Sequence, residues 1–482
     1  MLRLLLFVLL AASAGSYLSA QDTNWTLERA VEYALDNNLQ VRRLNNLTEL
    51  SANEALRARR AALPTVSGST NVGAQFGRTI DPTTDAFAQQ TIGFQSYNVQ
   101  VGALIYGGGR LKNQRMQADL DEQAARVDAR ITGNNIGLQV ANSYLTVVLL
   151  REQLANARAQ RTLSTEQLAN TNRLIDAGAL APAQRFDLTA QVAANDRQIV
   201  ELENQINLAI LGLQLLLELD PDEEFNIVTP NLEIDDADLF GEYNLAEVMT
   251  SAQSVQPTIM AAELRQESAA RGIEVARAGL RPTVSAFGSL STNYSTVAKD
   301  FLNPDVSNVQ VVQGDAVPVV INGVPGTIAN FSTTGLVFPD LGYFNQLDQN
   351  FGQSVGVALN VPIYSQGNNK INVQQAEIQR LNANLDVEQA RNQLRNDVQL
   401  ALADLRAAQQ SYRAAQASFE ASQAAYDNTQ RLFAAGNANS LDLVTATNRL
   451  DQARTELTRT KFQLIFNRQV IQFYLGQGLR LD

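Results

Sequence analysis

The chain has no cysteine, no histidine and a single tryptophan in 482 residues. Without thiols there are no disulfides, no thiolate nucleophiles and no sulfur ligands for zinc. Without imidazole the commonest general base and metal ligand is missing too. Basic charge is also in short supply: 37 Lys and Arg face 49 Asp and Glu, for a net charge of −12. A phosphate-binding surface needs a basic footprint, so no nucleic-acid partner is expected. No GxxxxGK[ST] loop occurs and no convergent polar cluster stands out, so neither an enzyme nor a cofactor or metal site is expected. Beyond residue 20 no apolar run approaches the ~18 residues of a spanning helix. A crossing of a membrane would have to be made by β-strands.

What is present begins at the amino terminus. Arg3, an apolar stretch over 4–12 and small residues up to Ser19-Ala20 have the order of a secretory signal peptide, expected over 1–20. No cysteine follows to carry a lipid anchor.

The exported chain repeats itself. Leu63-Pro64-Thr65-Val66-Ser67 recurs as Arg281-Pro282-Thr283-Val284-Ser285, and the same offset sets Leu27, Ala34 and Asn38 on Leu245, Ala252 and Gln256. Further on the offset grows by about 40 residues. It then pairs Ile105-Tyr106 with Ile363-Tyr364, and Arg173-Leu174 with Arg431-Leu432. Two repeats follow, 21–243 and 244–482, the second with an insertion at about 296–350. An acidic connector at about 218–247, with eleven acidic and no basic residues, lies between them. A solvated link and a divalent-cation site both fit it, although EF-hand spacing is absent.

Period-two alternation predicts four strands, at about 64–76, 96–106, 283–294 and 350–361. In the second, Tyr97, Val99, Val101, Ala103 and Ile105 oppose Asn98, Gln100 and Gly102. Each is long enough to cross a bilayer at a tilt, and a half-buried soluble sheet would give the same pattern. The remainder reads as helix. Residues 370–435 contain neither Gly nor Pro, which at 1.5 Å per residue allows a helix ~100 Å long. Leu381, Leu385, Leu394, Val398, Leu402 and Leu405 form its expected apolar stripe. Gly178 and Gly436 fit left-handed helix stops, Pro182 a first helical turn and Ser440 an N-cap. Helical hairpins are expected over about 111–219 and 370–475. Short helices before the strands complete four helical columns. Four strands cannot close in lipid, so the membrane reading requires several copies.

The opening Trp25-Thr26-Leu27-Glu28-Arg29-Ala30-Val31-Glu32-Tyr33-Ala34-Leu35 resembles the TolC family of outer-membrane efflux proteins. So do Leu63-Pro64, the exits Ile105-Tyr106-Gly107-Gly108-Gly109 and Ile363-Tyr364-Ser365-Gln366-Gly367, and the return helix from Leu441-Asp442-Leu443-Val444-Thr445. The resemblance covers nearly the whole mature chain. It implies a mixed fold, a membrane β-barrel joined to a long α-helical barrel. Four strands and four helical columns per chain, products of the duplication, would close as a twelve-stranded homotrimer in the outer membrane, with the helical barrel in the periplasm. It further implies passive export fed by a periplasmic adaptor (membrane fusion) protein and an inner-membrane transporter. An exported helical structural or adhesin-like protein is the other class the pattern allows.

The family's paired acids at the pore constriction carry over in part. Asp442 matches the first and Thr445 stands at the second, with Gln184 and Asp187 as equivalents in the first repeat. Asp442 fits equally a first-turn acid favoured by the helix dipole. Phe433, Ala438 and Gln184 occupy positions where model members use other gate links. Adaptor docking would fall on the tips Gly178-Ala179-Leu180 and Gly436-Asn437-Ala438.

Overall fold

The structure, a computed structural model, describes residues 24–80, 87–89, 91–222, 224–230, 234, 241, 243–329, 331–334 and 337–477. The expected signal peptide and much of the acidic connector lie outside them. Two compact units form, and they cut across the sequence repeats. One comprises Met1–Glu54, Gln117–Ala269 and Ile378–Asp482; the other, Ala55–Met116 and Ala270–Glu377. Each unit draws on both repeats.

Eight principal helices occur in chain order among the described residues: α1 (Leu27–Asn37), α2 (Leu39–Arg60), α3 (Arg110–Asp176), α4 (Gln184–Leu216), α5 (Leu245–Val255), α6 (Pro257–Ala278), α7 (Asn368–Ala434) and α8 (Ser440–Tyr474). The first unit is built mainly from these. α3 and α7 have 67 residues each, α4 33 and α8 35. α1 and α5, separate short helices that the repeat pattern does not delimit, are fixed by side-chain caps. Thr26 accepts from the Arg29 amide and Asn244 from the Ala246 amide. α1 packs tightly on α3, where a Cβ at Gly133 would stand 3.1 Å from Leu35 Cδ2.

Of three buried clusters among the helices, two lie at the short helices. In the first, Trp25, Leu27, Ala30 and Ala34 meet Val140, Tyr144 and Val148 of α3 and Leu213 and Leu217 at the end of α4. A parallel two-residue ladder joins Asn24–Trp25 to Asn226–Ile227, and the Tyr144 hydroxyl reaches the carbonyls of Trp25 and Val228. Burial pushes this phenol up to about 12, so it stays a neutral donor. In the second core Val248, Ala252 and Ile259 pack on Leu394, Val398, Leu402 and Leu405 of α7 and Leu464 and Ile471 of α8. The expected stripe needs correction at its start. Leu381 and Leu385 are both 61% exposed, whereas Ala383 and Val387 are buried. Ala383, Val387, Leu394 and Val398 follow spacings of four and seven, and Leu381 and Leu385 fall off that seam.

Where the short helices follow one another, side chains stitch their ends. The Asn38 amide donates to Leu216 O (3.0 Å), and Gln256 to Phe473 O (3.4 Å) in the second repeat. α4 ends with a left-handed residue at Glu218 (φ 58°), α8 with one at Gly476 (φ 84°).

The second unit contains four long strands: β1 (Thr65–Gln75), β2 (Ile92–Tyr106), β3 (Thr283–Ser295) and β4 (Gly352–Asn360). They form one antiparallel sheet in the order β4-β3-β2-β1. β2 begins at Ile92, before the expected 96. The outer edges of β1 and β4 are unpaired among the described residues. One correction concerns the end of β2. A bulge between Leu104 and Tyr106 takes Ile105 out of the ladder and pairs Tyr106 with Val284. An extra residue flips the side-chain parity, so Tyr106, not Ile105, continues the face of Val101 and Ala103. The insertion holds two antiparallel strand pairs, Gln310–Gln313 with Phe331–Thr334 and Val317–Ile321 with Val324–Ile328, and a short helix, Tyr343–Gln349.

Candidate functional site

The sheet has two chemically distinct faces. Cross-strand partners share a face, so the register alone defines them. On one lie Val66, Val101 and Val355 in one row and Val99 and Leu290, with Gln353 at the edge, in the next. Their side chains are exposed, Val355 to 90%. At the insertion end this face carries Tyr97 and Tyr294, and Tyr343 stacks 4.9 Å from Tyr294 and hydrogen-bonds Tyr97 at 2.8 Å. At the opposite end it carries Tyr106. An apolar band between aromatic borders is the pattern of a lipid-facing strand surface.

The other face is polar without being charged. Its rows are Ser67, Gln100, Ser289 and Ser354, then Ser69, Asn98 and Ser291, then Asn71, Ser96 and Asn293. Ser289 and Ser354 hydroxyls lie 2.8 Å apart. Leu104 and two phenylalanines interrupt it, and each phenylalanine lies over a glycine of the adjacent strand. A Cβ at Gly73 would be 2.7 Å from Phe94 Cζ, and one at Gly356 2.5 Å from Phe287 Cζ. Phe287 breaks the alternation, and the glycine opposite lets its ring lie against the sheet.

The helical hairpins turn alike and restart differently. α3 and α7 both end in a Schellman motif, with Gly178 at φ 75° and Gly436 at φ 77°. Ala179 N bonds Leu174 O at 2.8 Å, and Asn437 N bonds Leu432 O at 2.8 Å. No other atom lies within 4 Å of where either Cβ would be, so backbone conformation alone selects glycine. Leu180 and Ala438 pack against a core of Tyr426, Phe433, Leu443 and Leu450. This leaves Gly178, Ala179, Gly436 and Asn437 exposed at the tips.

The restarts correct two expectations. The N-cap of α8 is Asn439, not Ser440. Its side chain accepts from Asp442 N (2.9 Å), and Asp442 Oδ2 accepts from Asn439 N (3.1 Å), a closed capping box. Ser440 is free of that task and donates to Asp187 Oδ2 at 2.7 Å. α4 begins only at Gln184, after Pro182. The residue corresponding to Asn439 is Ala181, which has no side-chain acceptor, and the first amides turn to carbonyls three residues back instead, Gln184 N to Ala181 O at 3.1 Å. Of the four constriction candidates, Asp442 is therefore engaged in its own helix start and Thr445 donates to Leu441 O (2.7 Å). The Ser440–Asp187 bond ties the first turn of α8 to that of α4.

Above the tips the interior is unexpectedly polar. Gln160, Ser164, Gln167 and Thr171 are all buried along one face of α3, joined by Asn195 and Thr447. Gln167 donates to the Tyr426 hydroxyl (2.9 Å) and Asn195 to Ser164 (2.9 Å). The three- and four-residue spacing of this stripe was legible, but its residue types read as a solvated face. Among the described residues no group of three acidic side chains is placed to hold a metal ion.

Comparison with known proteins agrees with this architecture. The model of the family described as "Outer membrane efflux protein" matches residues 248–477. The outer membrane efflux protein BepC of Brucella suis is 22% identical over 457 residues, 94% of this chain and 86% of its own. The pyoverdine export outer membrane protein OpmQ of Pseudomonas aeruginosa is 29% identical over 169 residues, so the match spans about a third of its length (34%). The crystal structure of CusC superposes with a TM-score of 0.72 at 18% identity, over 94% of this chain and 92% of that one. With its order of strands, strand exits and return helices, the chain is similar in sequence to the outer-membrane efflux proteins and shares the fold of the solved CusC channel.

Proposed function

We propose that the chain is the outer-membrane channel of a tripartite efflux or type I secretion system. It passively conducts cargo handed over by a periplasmic adaptor and an inner-membrane transporter. The single observation that carries this reading is the four-stranded sheet with one apolar, aromatic-bordered face, one uncharged polar face and two open edges. Open edges in lipid leave backbone groups unsatisfied, so copies must join edge to edge. Three copies give twelve strands with the Ser, Asn and Gln rows inward. The family whose model matches residues 248–477 is that of outer membrane efflux proteins, which supports the channel reading.

In the same reading Asp442 and Asp187, with Thr445 and Gln184, narrow the periplasmic end. The exposed tips Gly178, Ala179, Gly436 and Asn437 meet the adaptor. The test is single-channel recording of the purified protein in planar bilayers. Small, cation-preferring steps are expected, because clustered carboxylates favour cations. Asp442→Asn keeps an acceptor for the Asn439 amide while removing charge, and should weaken block by multivalent cations. Failure to insert at all would refute the channel, and block unchanged in the variant would refute the constriction.

A further inference from the structure

The insertion between β3 and β4 contains a β-hairpin whose composition is unusual for an aqueous loop. Residues 316–339 contain no ionisable side chain. Val317–Ile321 pairs with Val324–Ile328 around Asn322-Gly323, at φ 54° and 81°, the two left-handed residues of a type I′ turn. The register puts Val317, Val319, Ile321, Val324 and Ile328 on one face and Pro318, Val320, Pro325 and Thr327 on the other. The aliphatic face is open: Ile321 is 61% and Val324 66% exposed. An isolated two-stranded hairpin is marginal in water, and this one has no covering layer among the described residues of its own chain.

The base of the insertion is fastened. Thr292 Oγ1 donates to Leu347 O (2.7 Å), Gln346 Oε1 accepts from Ser295 N (2.8 Å), and Tyr343 meets Tyr97. Beyond these aromatics, Lys299 pairs with Asp340, and Asp300 and Asp305 cap local turns. Charged groups thus stand between the aromatic border and the hairpin, which places the hairpin on the water side of the border rather than in the leaflet. Pro318 and Pro325, one in each strand, remove amide donors and discourage edge-on strand addition. A face remains as the available contact. The insertion runs directly into β4, the unpaired edge strand against which the next copy must lie.

We infer that the aliphatic face of the Val317–Ile328 hairpin packs against the same hairpin of neighbouring copies of this chain, forming an apolar contact over the outer mouth of the channel. The inference rests on the channel reading above, and its test separates the two. The chain has no cysteine, so Ile321→Cys supplies a single thiol. Thr327→Cys, on the opposite face, is the control. Outer-membrane fractions of each variant are oxidised with copper phenanthroline and run on non-reducing gels, boiled and unboiled. The expected result is a heat-labile oligomer in both variants, with a reductant-sensitive dimer at least tenfold stronger for Ile321→Cys. A heat-labile oligomer without that cross-link overturns the hairpin contact and leaves the channel standing. An environment-sensitive dye attached to the thiol of the Ile321→Cys variant and quenched by brominated lipid would also overturn it, in favour of the leaflet. Absence of any heat-labile oligomer would remove the channel reading and the contact with it.

Discussion

Both outgoing helices stop on a left-handed glycine with matching carbonyl bonds, Gly178 in the first hairpin and Gly436 in the second, whereas the returning helices diverge. α8 starts on a closed capping box, while α4 lacks any side-chain cap and starts two residues later in corresponding positions. The stop depends on a backbone conformation that few residues other than glycine adopt readily, so the two copies have one solution between them. The start depends on a side-chain acceptor worth about 1 kcal/mol, which one copy has and the other does without. The Ser440–Asp187 bond then leans the uncapped start on the capped one.

The largest effects are expected at the stops. Gly436→Val and Gly178→Val each force a β-branched residue into left-handed backbone, at a cost of about 2 kcal/mol or more. Both should accelerate amide hydrogen exchange through the last turn of the outgoing helix to a similar degree. A large difference between them would mean that one tip is held by contacts beyond its backbone. At the starts the effects should be unequal. Asn439→Ala removes the capping box and should cost roughly 1 kcal/mol of local stability in the first turn of α8. Ala181→Asn with Gln184→Asp installs the same box in the first hairpin, where Pro182 already suits the first helical position. It should extend α4 by two residues and slow exchange at position 184 and at Arg185. No slowing would show that the late start is imposed by packing instead of by the missing cap.

How much of this was legible depends on which physical signal each feature leaves in the sequence. The long helices follow from the absence of Gly and Pro over 370–435, and the strands from strict alternation. The glycine stops follow from position. The bulge at Ile105 left only a faint mark: Val99 to Ala103 alternates, Leu104, Ile105 and Tyr106 are then apolar in a row, and the pairing with Val284 reveals that parity changes. The helix starts at Leu39 and Pro257 were expected, the second because Pro257 pushes Gln256 out of helical backbone, but the amides of Asn38 and Gln256 also reach across to other helix ends. Long-range bonds of this kind have no local signature. The capping box was readable, since Asn439 stands three residues before Asp442, but Ser440 is an equally good capping residue and the local pattern does not rank them. The buried Gln and Thr stripe of α3 was hidden for the opposite reason. Its spacing is that of a core, and its chemistry is that of a surface.

The smallest expected effect separates the return helices by charge. Asp451 of α8 corresponds to Ala193 of α4, so only one hairpin carries an acid at this level. Burial raises the Asp451 carboxyl above its ordinary value, with Arg454 opposing the shift. A carboxyl whose folded pKa exceeds its unfolded one binds its proton more tightly in the folded state. Its contribution therefore favours folding in acid and is lost as pH rises from about 3.9, the usual unfolded value, through the raised folded one. Asp451→Asn should accordingly raise the urea midpoint at neutral pH and leave it nearly unchanged near a pH of about 3.5, where the native side chain is protonated too. An equal gain at both pH values would mean that the asparagine improves packing and that the desolvated charge is not what distinguishes the second hairpin.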